Sequence, residues 1–292
     1  MNYATLTAAK QILGLQNNST DDDLISALLA WATDHINQFK GRFYEPRIET
    51  RLYDVPNRSV SNFGRFADSH LQDAAIATSP LRLDENLLEV VELLNGNGDE
   101  LTAFVLEPAN QWPKTRVRLI NEFWQPQDDG KIHQAISLSG VWGTHDNYAR
   151  AWKQSGQAIQ DDPLTAEATS ITVLLLDPFQ TGQLLRLEDE FALITALVTT
   201  VINDETTYTL TVERGVNGST TAAHVQNTAI KTWQVQGNIS QACIRLVKWR
   251  YSQKDVDTFD KTYSAEIGMT IIPSAMPTDV KALLGAGRTY TW

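Results

Sequence analysis

The sequence predicts an α+β fold: a discontinuous small helical bundle made from both chain ends, with two inserted antiparallel β units. Three observations lead there. Apolar residues recur at steps of three and four near both ends, but at steps of two through the middle. Clusters of Gly, Asn, Asp and Pro punctuate that middle. Each terminal pair of helices offers too little surface for a core of its own, so the economical packing sets the first pair against the last.

The longest helical pattern covers residues 20–39, where Leu24, Ile25, Leu28, Leu29, Ala32, Ile36 and Phe39 form one stripe. Thr20 or Asp21 can cap it, Asp22 and Asp23 complement the dipole of its first turn, and Gly41 follows as a stop. Upstream, Leu6, Ala9, Ile12 and Leu13 predict a short helix ending near Gly14. At the other end, Ile239, Ala242, Cys243, Leu246, Val247 and Arg250 predict a helix over 240–254 capped by Ser240. A last short helix is expected from Pro277 through Val280, Leu283 and Leu284 to Gly285.

Strands are expected over 47–55, 87–94, 115–120 and 136–141, with Asn95-Gly96-Asn97-Gly98-Asp99 as a turn. A second β unit is expected from 169–176, 183–187, 191–202, 208–213 and 229–233. The polar stretch between the units reads as a connector. The domain division is therefore 1–44 and 238–292 for the two parts of the helical domain, 45–146 for the first β domain, 147–168 for the connector and 169–237 for the second β domain.

Hydrophobic content of 42% with 20% charged residues is the composition of a chain that folds, not of a disordered one. The start of the chain lacks a basic region followed by an apolar run, and no apolar run approaches the ~20 residues a membrane helix needs, so neither a secretory segment nor a membrane span is expected. The single cysteine, Cys243, excludes an intrachain disulfide and any multi-cysteine zinc site. Net charge is −11, and residues 51–239, with 13 basic and 24 acidic, hold the whole excess. A general DNA-binding middle is thereby excluded, because neutralising phosphates takes Lys and Arg.

No constellation argues for an enzyme, a cofactor or a metal. The histidines His35, His70, His133, His145 and His224 stand in no ligand spacing. His145-Asp146 reads as a solvated turn, and Glu188-Asp189-Glu190 as a charged turn or edge with both glutamates on a solvated face. Calcium ligation by residues 95–100 is weaker than the hairpin reading, and Cys243 on a buried helical stripe is an inert thiol. A hydrolase using His145 or His224 is the remaining catalytic alternative. Trp112, Trp124, Trp142 and Trp233 could build a sugar-binding face, but core packing is the commoner use of such rings.

Several strings resemble head-tail connector (adaptor) proteins of long-tailed bacteriophages. At the start these are Thr5-Leu6-Thr7-Ala8-Ala9-Lys10, Asp21-Asp22-Asp23-Leu24-Ile25 and Phe39-Lys40-Gly41-Arg42; at the end, residues 272–284 are similar to that family's proline and short-helix closure. The middle resembles segments inserted in larger adaptor and neck proteins, at residues 81–90, at Val141-Trp142-Gly143-Thr144-His145 and above all at residues 212–224, VERGVNGSTTAAH. The compact connectors lack so large an insertion. The resemblance implies a virion structural protein of the neck, assembled in the host cytoplasm. It would form a ring, twelve-fold in the family, that docks beneath the portal protein, extends the DNA channel without binding DNA specifically, and receives a tail, stopper or terminator protein below. In the family the C-terminal segment reaches the portal, and here Arg288, Tyr290 and Trp292 make an aromatic, basic end suited to a partner's groove. The alternative, on the Trp-bearing β units, is a tail-associated carbohydrate- or receptor-binding module.

Overall fold

The computed structural model describes residues 1–56, 79–254, 262–264, 269–271 and 276–285. Both helices and antiparallel sheets are present, an α+β fold. The chain divides into two compact units: residues 1–44, 152–214 and 221–292 form the first, and 45–151 with 215–220 the second.

In the first unit, α1 (Leu6–Leu13) begins where Thr5 Oγ1 accepts the Ala8 amide at 3.2 Å, and α2 (Asp22–Lys40) ends at left-handed Gly41. Helix α3 (Gly237–Tyr251) starts three residues before Ser240, with Gln236 at the cap position and no side-chain cap bond. The expected Ser240 cap is therefore corrected: its amide already bonds back to the Gln236 carbonyl at 2.9 Å as part of the first turn. Helix α4 (Thr278–Leu284) follows Pro277, which stands at the cap rather than inside the first turn.

One core takes residues from all four helices: Ala9 of α1, Ile25, Leu29, Ala32 and Ile36 of α2, Ile239, Cys243, Leu246 and Val247 of α3, and Val280 and Leu284 of α4. Leu24, Phe39 and Ile12, assigned to the stripes, are instead exposed at their edges. Polar links tie the early segment to the late one. Lys40 Nζ donates to the Leu284 carbonyl at 2.9 Å, Tyr251 Oη donates to Asp21, and Lys254 Nζ lies 2.8 Å from the same carboxylate. Tyr3, 1% exposed, donates its hydroxyl to Asn37 Oδ1 and accepts the Tyr44 amide.

The same unit holds a six-stranded sheet. Its strands are β6 (Trp152–Ala158), β7 (Ser170–Val173), β8 (Leu184–Leu187), β9 (Glu190–Ile202), β10 (Glu205–Arg214) and β11 (Ala229–Trp233), in the order β6-β11-β8-β9-β10-β7. Just past β6, Gln160 N donates to Thr172 O of β7 at 3.0 Å, which curls the sheet back on itself around Ile159, Ile171, Leu185, Leu187, Ile194, Leu210 and Ile230. Strand β6 lies within 147–168, where a connector was expected. Its pattern of half-exposed Ser, Gly and Gln residues lacks the apolar alternation that marks a strand, and its pairing with β11 supplies what the pattern does not.

The second unit is built on a five-stranded sheet of β1 (Arg47–Tyr53), β2 (Leu81–Leu94), β3 (Phe104–Glu107), β4 (Lys114–Leu119) and β5 (Ile136–Trp142), ordered β1-β5-β2-β4-β3. Leu81, Leu83, Leu87, Leu93, Val117, Leu138 and Trp142 form its core. The turn after β2 closes as expected, with Asn95 N donating to Asp99 O at 2.8 Å. Strand β3 went unpredicted because prolines at 108 and 113 break the pattern around it. A further pair, β12 (Thr262–Ser264) and β13 (Met269–Ile271), is antiparallel. Among the described residues no helix is long and apolar enough to cross a membrane.

Candidate functional site

The densest polar cluster lies inside the first unit, where β9 begins, β10 ends and the chain returns toward β11. Arg214 is the last residue of β10 and Glu190 the first of β9, so the antiparallel pairing brings them to one end of the sheet. The guanidinium grips the carboxylate through both Nε and Nη2, with Nη2 2.6 Å from Glu190 Oε2. The two side chains are 4% and 1% exposed. Arg214 also donates to the carbonyls of Thr165, Ala168 and Ala222 at 3.2, 3.3 and 2.6 Å. Its fork is thus spent on one carboxylate and three backbone oxygens drawn from two loops.

Glu190 is held from the other side as well. The Ala222 amide donates to Oε2 at 3.0 Å, and His224 Nε2 lies 3.0 Å from the same oxygen. His224 Nδ1 stands 2.8 Å from Glu188 Oε2, on a turn residue with φ 53°. Burial alone would push the Glu190 carboxyl up, but the hydrogen bonds from Arg214, Ala222 and His224 outweigh it and hold its pKa below the ordinary value. The expectation of a solvated Glu190 is corrected: an alternation argument cannot see that the arginine 24 residues on will seal it. Of the two glutamates only Glu188, 63% exposed, faces solvent.

Between Arg214 and Thr221 the chain passes through the second unit, where residues 215–220 belong. Asn217 O accepts the Ile48 amide at 2.8 Å, and Asn217 Nδ2 donates to Pro46 O at 2.9 Å. Gly218 has φ +79°, and a Cβ there would lie 2.1 Å from Ile48 O, so backbone conformation and close approach both demand glycine. Five residues of the 212–224 string thus have a defined use: Arg214, Ala222 and His224 on the Glu190 carboxylate, Asn217 on Pro46 and Ile48, and Gly218 in close contact with Ile48. Its chemistry is that of a fastening, since both faces of the Glu190 carboxylate are occupied by protein donors.

The other candidate residues fall elsewhere. His145 is buried, not solvated: its Nδ1 accepts the Asn147 amide at 2.9 Å and Asp146 lies 3.6 Å away. Asn95 spends its side chain on Phe123 O, Gly96 N and Gln125 N, and Asn97 Nδ2 donates to Asp99 Oδ2, so these side chains are engaged in shaping the turn. Cys243 is fully buried and its thiol is pushed up to about 12 by burial. Trp124, Trp142 and Trp233 are buried, each with its indole N–H on a backbone carbonyl, while half-buried Trp112 is covered by the Lys114 ammonium 4.4 Å from its ring centre. Among the described residues no group of His, Cys, Asp and Glu has a geometry that could hold a metal ion. A small cavity beside Tyr3, Gln183 and Gln234 has no carboxylate, imidazole, thiol or cationic side chain in its lining. Arg288, Tyr290 and Trp292, the expected partner contacts, and His70 lie outside the described residues. No family model, no curated protein and no solved structure matches the chain.

Proposed function

We propose that the protein is a head-tail adaptor of a long-tailed bacteriophage: a non-enzymatic ring subunit of the virion neck that sits under the portal, extends the DNA channel and presents a docking surface to the tail. The observation that supports this reading is the core shared by α1, α2, α3 and α4, which packs the first two helices against the last two. Helical ends of this kind resemble those of the adaptor family, and the 212–224 string resembles its larger neck relatives.

Physical support comes from two further features. The Arg214, Glu190 and His224 cluster is consumed by internal hydrogen bonds, which suits a structural subunit. The carboxylate excess of the inserted segment would repel passing DNA instead of holding it. The alternative, a tail-associated carbohydrate- or receptor-binding module, finds no open aromatic platform in Trp124, Trp142 or Trp233, whose rings are buried.

The decisive experiment is deletion of the gene in the phage that encodes it, followed by electron microscopy of the lysate. Filled heads and free tails that fail to join are the expected result. Tailed particles from the deletion strain would refute the adaptor role.

A further inference from the structure

Strands β9 and β10 run well past their neighbours. Strand β8 pairs with β9 only over 190–193, and β7 with β10 only over 208–211. Ile194 still exchanges backbone bonds with Gly182 and Gln183, but between Thr195 and Thr207 β9 has no strand partner other than β10 among the described residues, out to a two-residue turn at Asn203 and Asp204 with φ of 50° and 65°. Val198, Thr199, Thr200, Val201 and, on the return, Thr206 and Thr207 are exposed, so both faces of this arm are open. A two-stranded ribbon without a face to pack on is marginal in water. Its β-branched residues and unpaired edges are what a sheet presents to another chain.

Charge along the arm is confined to its tip. From residue 191 to residue 211 the only ionisable acids or bases other than Tyr208 are Asp204 and Glu205, and neither has a cationic partner among the described residues.

A complementary surface exists on the second unit. Arg82 of β2 stands directly across from Arg116 of β4, and Arg118 lies two residues further along the same face. Like charges directly opposite destabilise a strand pair. The one carboxylate paired within this group is Glu107, which stands opposite Arg116 on the β3 side and accepts from Arg118 Nε at 2.8 Å. Asp84, next on the β2 face, is taken by Arg51 and Tyr53. Arg82 and Arg116 have no ion-pair partner among the described residues, and Val105, opposite Arg118, is 41% exposed beside them. In a chain of net charge −11, three guanidiniums against one paired carboxylate mark a local basic island with an apolar margin.

We propose that the tip of the β9–β10 arm of one copy docks on the Arg82, Arg116 and Arg118 face of a second copy, Asp204 and Glu205 supplying the carboxylates that face lacks and the β-branched arm covering Val105. The two surfaces differ, so the contact is heterologous, and repetition of a heterologous contact closes rings or extends filaments. It deepens the adaptor reading by naming the subunit contact, and rests on it only for the closure of that contact into a ring.

The test mixes two full-length variants, Thr206→Cys and Val105→Cys, which leave the docking charges in place, under mild oxidation; the native Cys243 is buried and stays out of the reaction. The mixed disulfide should form about tenfold faster than with Asn18→Cys as the partner of Thr206→Cys, because docking raises the local thiol concentration. Adding Glu205→Lys to the arm variant should slow it, and adding Arg82→Glu to the face variant should restore the rate, a rescue that misfolding cannot produce. Equal rates for the docking and control pairs would overturn the contact. So would binding of short duplex DNA that Arg82→Glu abolishes while no mixed disulfide forms, which would assign the face to nucleic acid. If the disulfide fails yet deletion still separates heads from tails, the contact alone is wrong; if it forms and deleted phage carry tails, the adaptor role alone is wrong.

Discussion

Arg214 and the pair Arg82 and Arg116 are the same side chain in opposite circumstances. Arg214 is 4% exposed and meets one carboxylate and three carbonyls, whereas Arg82 and Arg116 are exposed and face each other across two strands. A desolvated guanidinium must have its donors filled within the fold, because nothing else will fill them. Exposed guanidiniums are solvated, so a fold can tolerate leaving them short of carboxylates, and with Glu107 opposite Arg116 already spent on Arg118 an arriving anion would offset the mild cost of the like-charge pair. The first arrangement fastens; the second waits for a partner.

Removing the buried fastening should have the largest effect. Arg214→Ala leaves Glu190 charged, buried and short of two donors, and should lower the stability of the first unit by about 3–5 kcal/mol in urea unfolding. Since Glu190 has a folded pKa below its unfolded one, its contribution is present above the unfolded value and disappears as pH falls through the folded value. The gap between wild type and Arg214→Ala should therefore narrow in acid. A gap independent of pH would show that Arg214 acts through its carbonyl contacts instead.

Leu246→Ala provides the contrast. Leu246 is fully buried among apolar residues of the helical core, so a loss of about 2–5 kcal/mol should appear with no dependence on the titration of Glu190. Parallel acid limbs for wild type and Leu246→Ala would separate hydrophobic packing from ionic fastening within one unit. A limb that moves with the Leu246 substitution would mean that the helical core and the Glu190 cluster unfold as one coupled event.

What the sequence disclosed follows the same division. The helices and most strands carry their periodicity in apolar residues, so Ile25, Leu29, Ala32 and Ile36 could be read as one face without knowing what they pack on. Strand β6 carries no such signal, for its order comes from pairing with β11. The 212–224 string stood out as a resemblance, yet its use was not legible: Arg214, Glu190 and His224 are brought together by strand register, and no spacing rule links residues 190, 214 and 224. His145 and Glu190 were misread for one reason, since local polarity suggests solvent while burial is decided by chain segments far away. The Arg82 and Arg116 pair was equally hidden, because cross-strand neighbours are invisible until the register is known.

Smaller effects test how local the contributions are. Thr5→Ala removes the one side-chain cap seen at α1 and should cost about 1 kcal/mol, checked by urea unfolding of the full chain. A loss much larger than that would imply that the segment before α1, including Tyr3 on Thr33, depends on the cap.

The smallest change should have the opposite sign. Arg116→Thr takes away one of two facing guanidiniums and places a β-branched residue in a strand, so the isolated chain should gain roughly 0.2–1 kcal/mol in urea unfolding. The same substitution should weaken docking of the β9–β10 arm, because a carboxylate at Asp204 or Glu205 then meets one cation fewer. Stability up and association down is the signature of a surface kept for a partner. If Arg116→Thr instead destabilised the free chain, the guanidinium would be serving the sheet itself, and Arg116 would belong with Arg214 among the residues that fasten the fold.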